Sequence, residues 1–112
     1  MKSRIVYLAG PMNGVADYNR PAFNEAEKAL KAQGYIVINP AMLPTKLPYD
    51  SYMPICLALM NAADTVCMLP GWKYSPGAKL EYRYAEYHGK PIYRYVEGEM
   101  VDLIPEGVRD AE

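Results

Sequence analysis

The chain has 112 residues, 51% of them hydrophobic and 22% charged, with a formal net charge of −1. That length supports one domain around one core, and the composition excludes an intrinsically disordered chain. The near-neutral balance excludes a general nucleic-acid binder, and no apolar run approaches the roughly 20 residues of a membrane span.

Residues 5–9 (IVYLA) form a short continuous apolar run ended by Gly10-Pro11, the pattern of a strand buried on both faces. Pro11 and Asn13 also interrupt the apolar start before it reaches a secretory-signal layout, so a cytoplasmic location is expected. Residues 20–33 read as a helix, with Asn19 as N-cap, Pro21 in the first turn and Gly34 as the stop. Its Ala22, Phe23, Ala26 and Leu30 recur at helical spacing and define one apolar face. Residues 35–38 (YIVI) predict a second buried strand, closed by Asn39-Pro40.

Residues 40–50 carry Pro40, Pro44 and Pro48, which predict a long loop of the kind that covers pockets. A second helix is expected over residues 51–63, turning Tyr52, Ile55, Cys56, Leu59, Met60 and Ala63 inward. Residues 65–69 (TVCML) predict the third strand. Residues 76–88 predict the third helix, with Ser75 as N-cap and Pro76 at its first position. Residues 91–95 (PIYRY) predict a fourth strand. The domain then spans residues 1–96, followed by an acidic tail over 97–112. Strands alternating with helices imply an α/β fold: one doubly wound parallel sheet of four to five strands with helices on both faces.

In such sheets ligands bind beyond the carboxyl ends of the strands. The stretches there are Gly10-Pro11-Met12-Asn13-Gly14, Asn39-Pro40 and Pro70-Gly71-Trp72-Lys73-Tyr74-Ser75, and they are expected to share one crevice. The first and last lead toward helix starts, where unpaired N–H groups favour phosphate or carboxylate. Neither matches a P-loop or a dinucleotide fingerprint, and Gly and Pro also punctuate ordinary strand-helix junctions. Gly77 and Ala78 are small for a first helical turn, as a close ligand approach would require. Glu81 follows one turn later; an acid near a helix start is either a working carboxylate or a dipole partner. Cys56 and Cys67 make no disulfide framework and no metal-ligand spacing, so neither metal nor cofactor is expected.

The stretches IVYLAGPMNG, AADTVCMLPGW and SPGAKLEYRYAEYHGKPI together resemble the nucleoside 2-deoxyribosyltransferase-like superfamily, over most of residues 4–95. That group includes deoxyribosyltransferases and 2′-deoxynucleoside 5′-monophosphate N-glycosidases. Its most specific element here is Ser-x-Gly-x-x-x-Glu followed by Gly-Lys-Pro before a strand. The resemblance implies that Glu81 is a nucleophile toward a deoxyribosyl carbon and that Tyr7 orients it. It further implies that Ser75 and the Gly10 loop hold a 5′-phosphate, within a substrate contact set of Gly10, Pro11, Met12, Asn13, Asp64, Gly71, Trp72, Ser75 and Gly77.

The sequence departs from that pattern at Cys56, where the superfamily carries an aspartate. A thiol there supplies neither a carboxylate's charge nor its proton near neutral pH. The alternative is therefore a nucleotide-binding module without turnover. Asp64 has a competing role as a turn and capping residue ahead of a strand. The implied partners are a small nucleoside or nucleotide and a second copy of the chain, with no membrane and no nucleic-acid polymer. Among the 11 tyrosines, Tyr82, Tyr84 and Tyr87 on the third helix are the expected contacts of a homo-oligomer.

Overall fold

The computed structural model describes residues 4–103. Strands β1 (Ile5–Ala9), β2 (Ile36–Ile38), β3 (Thr65–Met68), β4 (Ile92–Val96) and β5 (Glu99–Asp102) form one sheet in the order β2-β1-β3-β4-β5. The first four run parallel, and β5 returns antiparallel to β4. Helices α1 (Arg20–Ala32), α2 (Tyr49–Asn61) and α3 (Pro76–Tyr87) supply the connections.

The period-two alternation of β1 and β3 sorts the core into two layers. Val6 and Leu8, with Cys67 and Leu69, pack under Phe23, Ala26 and Leu30 of α1. Tyr7, Ala9, Val66 and Met68 face the other way, under Cys56 and Met60 of α2 and Ala78, Tyr82 and Ala85 of α3. The chain moves from β1 to β2 on one side, then crosses back to β3 on the other. The topological switch point therefore falls between β1 and β3, the place where an open α/β sheet offers its crevice.

Several boundaries differ from the sequence pattern for local physical reasons. Strand β2 is an edge strand rather than a doubly buried one, and Ile36 is 54% exposed. Asn19 does not cap α1. It sits in the left-handed region at φ 60°, after Asp17 and Tyr18 at φ 53° each, and its amide donates to the Pro11 carbonyl at 2.8 Å. Helix α2 starts at Tyr49, two residues earlier than its pattern indicates. The proline-rich loop ahead of it holds a short 3-10 turn, Pro40–Met42, and the Tyr52 hydroxyl donates to the Pro44 carbonyl.

Part of the expected acidic tail is ordered as β5, because Glu97 and Gly98 both take positive φ, 47° and 87°, and reverse the chain into a hairpin. The rest of that tail, residues 104–112, lies outside the described residues. Ser75 does cap α3, its hydroxyl accepting from the Ala78 amide at 3.2 Å.

Gly10 is needed at the end of β1 because a Cβ there would stand 2.9 Å from Leu69 Cβ. Gly10→Ala is expected to destabilise the fold by about 1–3 kcal/mol through overpacking, measured by denaturant unfolding. A double-mutant cycle with Leu69→Ala should show favourable coupling, since the truncation makes the missing room.

Candidate functional site

The inward stripe of α3 runs Ala78, Glu81, Tyr82, Ala85, so a carboxylate occupies a position where helical spacing calls for a core residue. Glu81 is 6% exposed. The fully buried Tyr7, at the centre of β1, donates its hydroxyl to Glu81 Oε2 at 2.6 Å. The thiol of Cys56, projecting from α2, adds a second hydrogen bond to the same carboxylate. Three elements distant in sequence thus meet at one acid.

Burial pushes the Glu81 carboxyl up to about 7, against a lowering pull from the Tyr7 and Cys56 hydrogen bonds. The Tyr7 hydroxyl is held well above its ordinary range, chiefly by burial and then by the Glu81 charge. Burial likewise raises the Cys56 thiol, more than its contact with Tyr7 lowers it, so it stays protonated at neutral pH. The cluster can therefore offer one carboxylate that exchanges a proton near pH 7, oriented by two neutral donors.

The loops after β1 and β3 also meet. Gly71, at φ 86°, lies so close to Pro11 that a Cβ on it would stand 3.4 Å from the proline ring. Met12 is half-buried against the α1 layer, while Asn13 is exposed. Ser75 is occupied as the α3 cap. Gly77 faces Met53 of α2, whose Cε would lie 3.5 Å from an added Cβ, and Ala78 is buried in the core. The small residues at 77 and 78 let α2 pack closely on the start of α3.

Asp64 is not part of this constellation. It lies at the amino end of β3, accepting from the Ile5 amide at 3.1 Å and the Thr65 hydroxyl at 2.8 Å, and so pins the start of β1. It sits at the end of the strands opposite the loops after β1 and β3. Trp72 is buried, with its ring stacked on Tyr82 at 4.8 Å. That stacking also removes Tyr82 from any surface contact. Tyr84 donates to Asn61 of α2, and only Tyr87 of the three tyrosines, at 85% exposure, stands free of the fold.

A crevice of about 530 Å³ opens at the carboxyl ends of β3 and β4, lined among others by Trp72, Lys73, Tyr74, Arg94 and Tyr95. A smaller one, about 320 Å³, lies between the end of α3 and β4. Glu81 and Tyr7 line neither. Among the described residues no group of three or more His, Cys, Asp or Glu side chains could hold a metal ion, and no helix is long and apolar enough to cross a membrane.

Asn39 is the polar residue whose structural part the sequence hides. Buried at the end of β2, it accepts from the Ala41 amide at 2.8 Å and donates to Asn24 at 3.0 Å and Glu27 at 2.9 Å. It brackets α1 to the following turn; an Asn-Pro pair after a strand signals only a turn.

Residues 4–94 match the family described as "Domain of unknown function (DUF4406)", and the chain belongs to that family. No curated protein matches the sequence.

Because the Glu81 carboxyl is raised in the fold from 4.5 to about 7, the folded state binds more protons than the unfolded one between those values. Its contribution is complete below about 4.5 and is lost as pH rises through about 7. Glu81→Gln, which stays neutral, is expected to gain stability relative to wild type across that window. The gain should approach roughly 3 kcal/mol above pH 8, with little at pH 4.5, measured by denaturant melts at several pH values.

Proposed function

We propose that this chain cleaves or transfers the N-glycosidic bond of a deoxynucleoside or its 5′-monophosphate, with Glu81 as nucleophile. The observation that carries this reading is the 2.6 Å hydrogen bond from Tyr7 to Glu81 in a buried setting that brings the carboxyl close to neutrality. One Glu81 oxygen bonds to the anomeric carbon as the bond from that carbon to the base nitrogen breaks, leaving a glycosyl ester on the enzyme. The base departs with the bonding electron pair and takes a proton from water, since the Cys56 thiol is held protonated and is a poor acid. Water or a second base then attacks the same carbon and frees Glu81. Tyr7 is a positioning residue: its hydroxyl holds Oε2 and so fixes the orientation of the carboxylate.

The shielding of Glu81, which is buried and lines neither crevice, favours a second reading. In it, the chain binds a nucleotide without turning it over. The aromatic and cationic lining of the larger crevice suits such a ligand. Either activity fits a cytoplasmic protein working as a homo-oligomer, with the exposed Tyr87 in the contact.

The deciding experiment is chromatographic detection of free base from a panel of deoxynucleosides and their 5′-monophosphates. Wild type is expected to release base, Glu81→Ala to fall to background, and Tyr7→Phe to lose about 10- to 100-fold in rate. The kcat/KM should climb as pH rises through about 7 and then level, since the attacking form is the carboxylate. Wild type and Glu81→Ala releasing base equally would overturn the catalytic reading. Nucleotide-dependent thermal stabilisation without product would select the binding one.

A further inference from the structure

One wall of the larger crevice is the 3-10 turn Trp72–Tyr74 that follows β3. Hydrogen bonds close this turn: the Trp72 amide donates to Leu69 at 3.3 Å, Tyr74 to Gly71 at 3.0 Å and Ser75 to Trp72 at 3.1 Å. Trp72 is buried by it, whereas Tyr74 is left 91% exposed at the crevice. A tyrosine ring carried outward on a short hydrogen-bonded turn adds nothing to the core, and such pre-ordered rings suit binding surfaces.

The facing wall comes from the end of β4 and its hairpin, and includes Arg94 and Glu97. Glu97 takes the first turn position between the paired Val96 and Glu99, at φ 47°. Both positions of such a turn require positive φ, which Asn, Asp and Gly adopt at least cost; a glutamate there is strained. The strain sets a carboxylate beside a crevice whose other charges, Lys73 and Arg94, are positive. Each of these two cations carries several N–H donors, so a contact within the protein leaves others for a ligand. Aromatic, cationic and anionic groups thus line one space of about 530 Å³, a size that suits a small molecule.

We propose that this crevice binds a free aromatic α-amino acid as its zwitterion. The ligand carboxylate meets Arg94 and Lys73, its ammonium meets Glu97, and its ring lies against Tyr74 and the apolar Leu69 and Pro70. A phosphate would be repelled by Glu97, which separates this ligand from the nucleotide of the binding reading above. Glu81 lines no part of the crevice, so the site stands whether or not the chain has glycosidase activity.

NMR titration of the intact chain tests this, read on the indole N–H of Trp72, the only tryptophan, and on the amides of residues 71–74 and 94–98. L-Phenylalanine is expected to give saturable shifts concentrated there. Phenylpropionate, which lacks the ammonium, and phenethylamine, which lacks the carboxylate, should each bind at least about 10-fold more weakly. Glu97→Gln should lose about 10-fold in affinity for L-phenylalanine and none for phenylpropionate. Glu97→Gly, which relieves the turn, is expected to melt at a higher temperature than wild type while losing the same affinity. Resonances that L-phenylalanine leaves unmoved, phenylpropionate bound as tightly as L-phenylalanine, or a Glu97→Gly protein that binds like wild type would each overturn the proposal. Shifts with deoxyadenosine 5′-monophosphate but not with L-phenylalanine would overturn it too, and would assign the crevice to the nucleotide instead.

Discussion

A carboxylate held inside the core by a tyrosine hydroxyl is the constraint around which this molecule is arranged. Tyr7 lies on an interior strand of the sheet, where β1 is flanked by β2 and β3, so its backbone is fixed by pairing on both sides. Helix α3 must then approach closely enough for Glu81 to reach it, and Ala78 and Ala85 provide the low profile that permits this. Helix α2 closes the remaining side with Met53 over Gly77 and with the Cys56 thiol. An apolar residue at position 81 would satisfy the packing at less electrostatic expense. An acid there, in contact with two weak proton donors, is the arrangement on which the proposed chemistry rests.

The relation between this acid and the surface is equally informative. The carboxyl ends of β1 and β3 are drawn together by the Pro11–Gly71 approach and by the Gly10–Leu69 contact. This narrows the switch point, and the larger open volume lies on the β4 side, over Trp72. Trp72 is the link between the two regions: it lines the crevice and packs in the same core layer as Tyr7 and Cys56. A ligand seated in that crevice would rest against the residue that stacks on Tyr82, the immediate neighbour of Glu81 in the chain.

Much of this is written in the sequence, though unevenly. Strands β1 and β3 are legible because continuous apolar runs of four or five residues between Gly and Pro have few other uses. The start of α3 is legible because Ser-Pro supplies both a cap and a fixed φ. Short β2 is not, since IVI looks the same at an edge as at the centre, and neighbours decide which it is. Asn19 misleads because a side chain able to cap can equally donate to a nearby carbonyl, and the left-handed run of residues 17–19 turns it away. Strand β5 is hidden by acidic composition; its signal is the Glu-Gly pair, weaker than Asn-Gly but serving the same turn. At the site, spacing alone makes Glu81 an ordinary dipole partner, and its burial follows only from how the helices dock. Asp64 shows the converse, a carboxylate legible by type whose end of the strand is fixed by topology.

The geometry of the sheet margins limits how copies of this chain can join. At one margin β2 offers only three residues of ladder, too short a template for strand addition. Beyond it the backbone leaves through the turn at Pro40, where one amide hydrogen is missing and Ala41 is committed to Asn39. Assembly by extending the sheet from this side would gain few hydrogen bonds per molecule. On this side of the sheet, any seam with another molecule would have to be made by side chains and helix faces rather than by a backbone ladder.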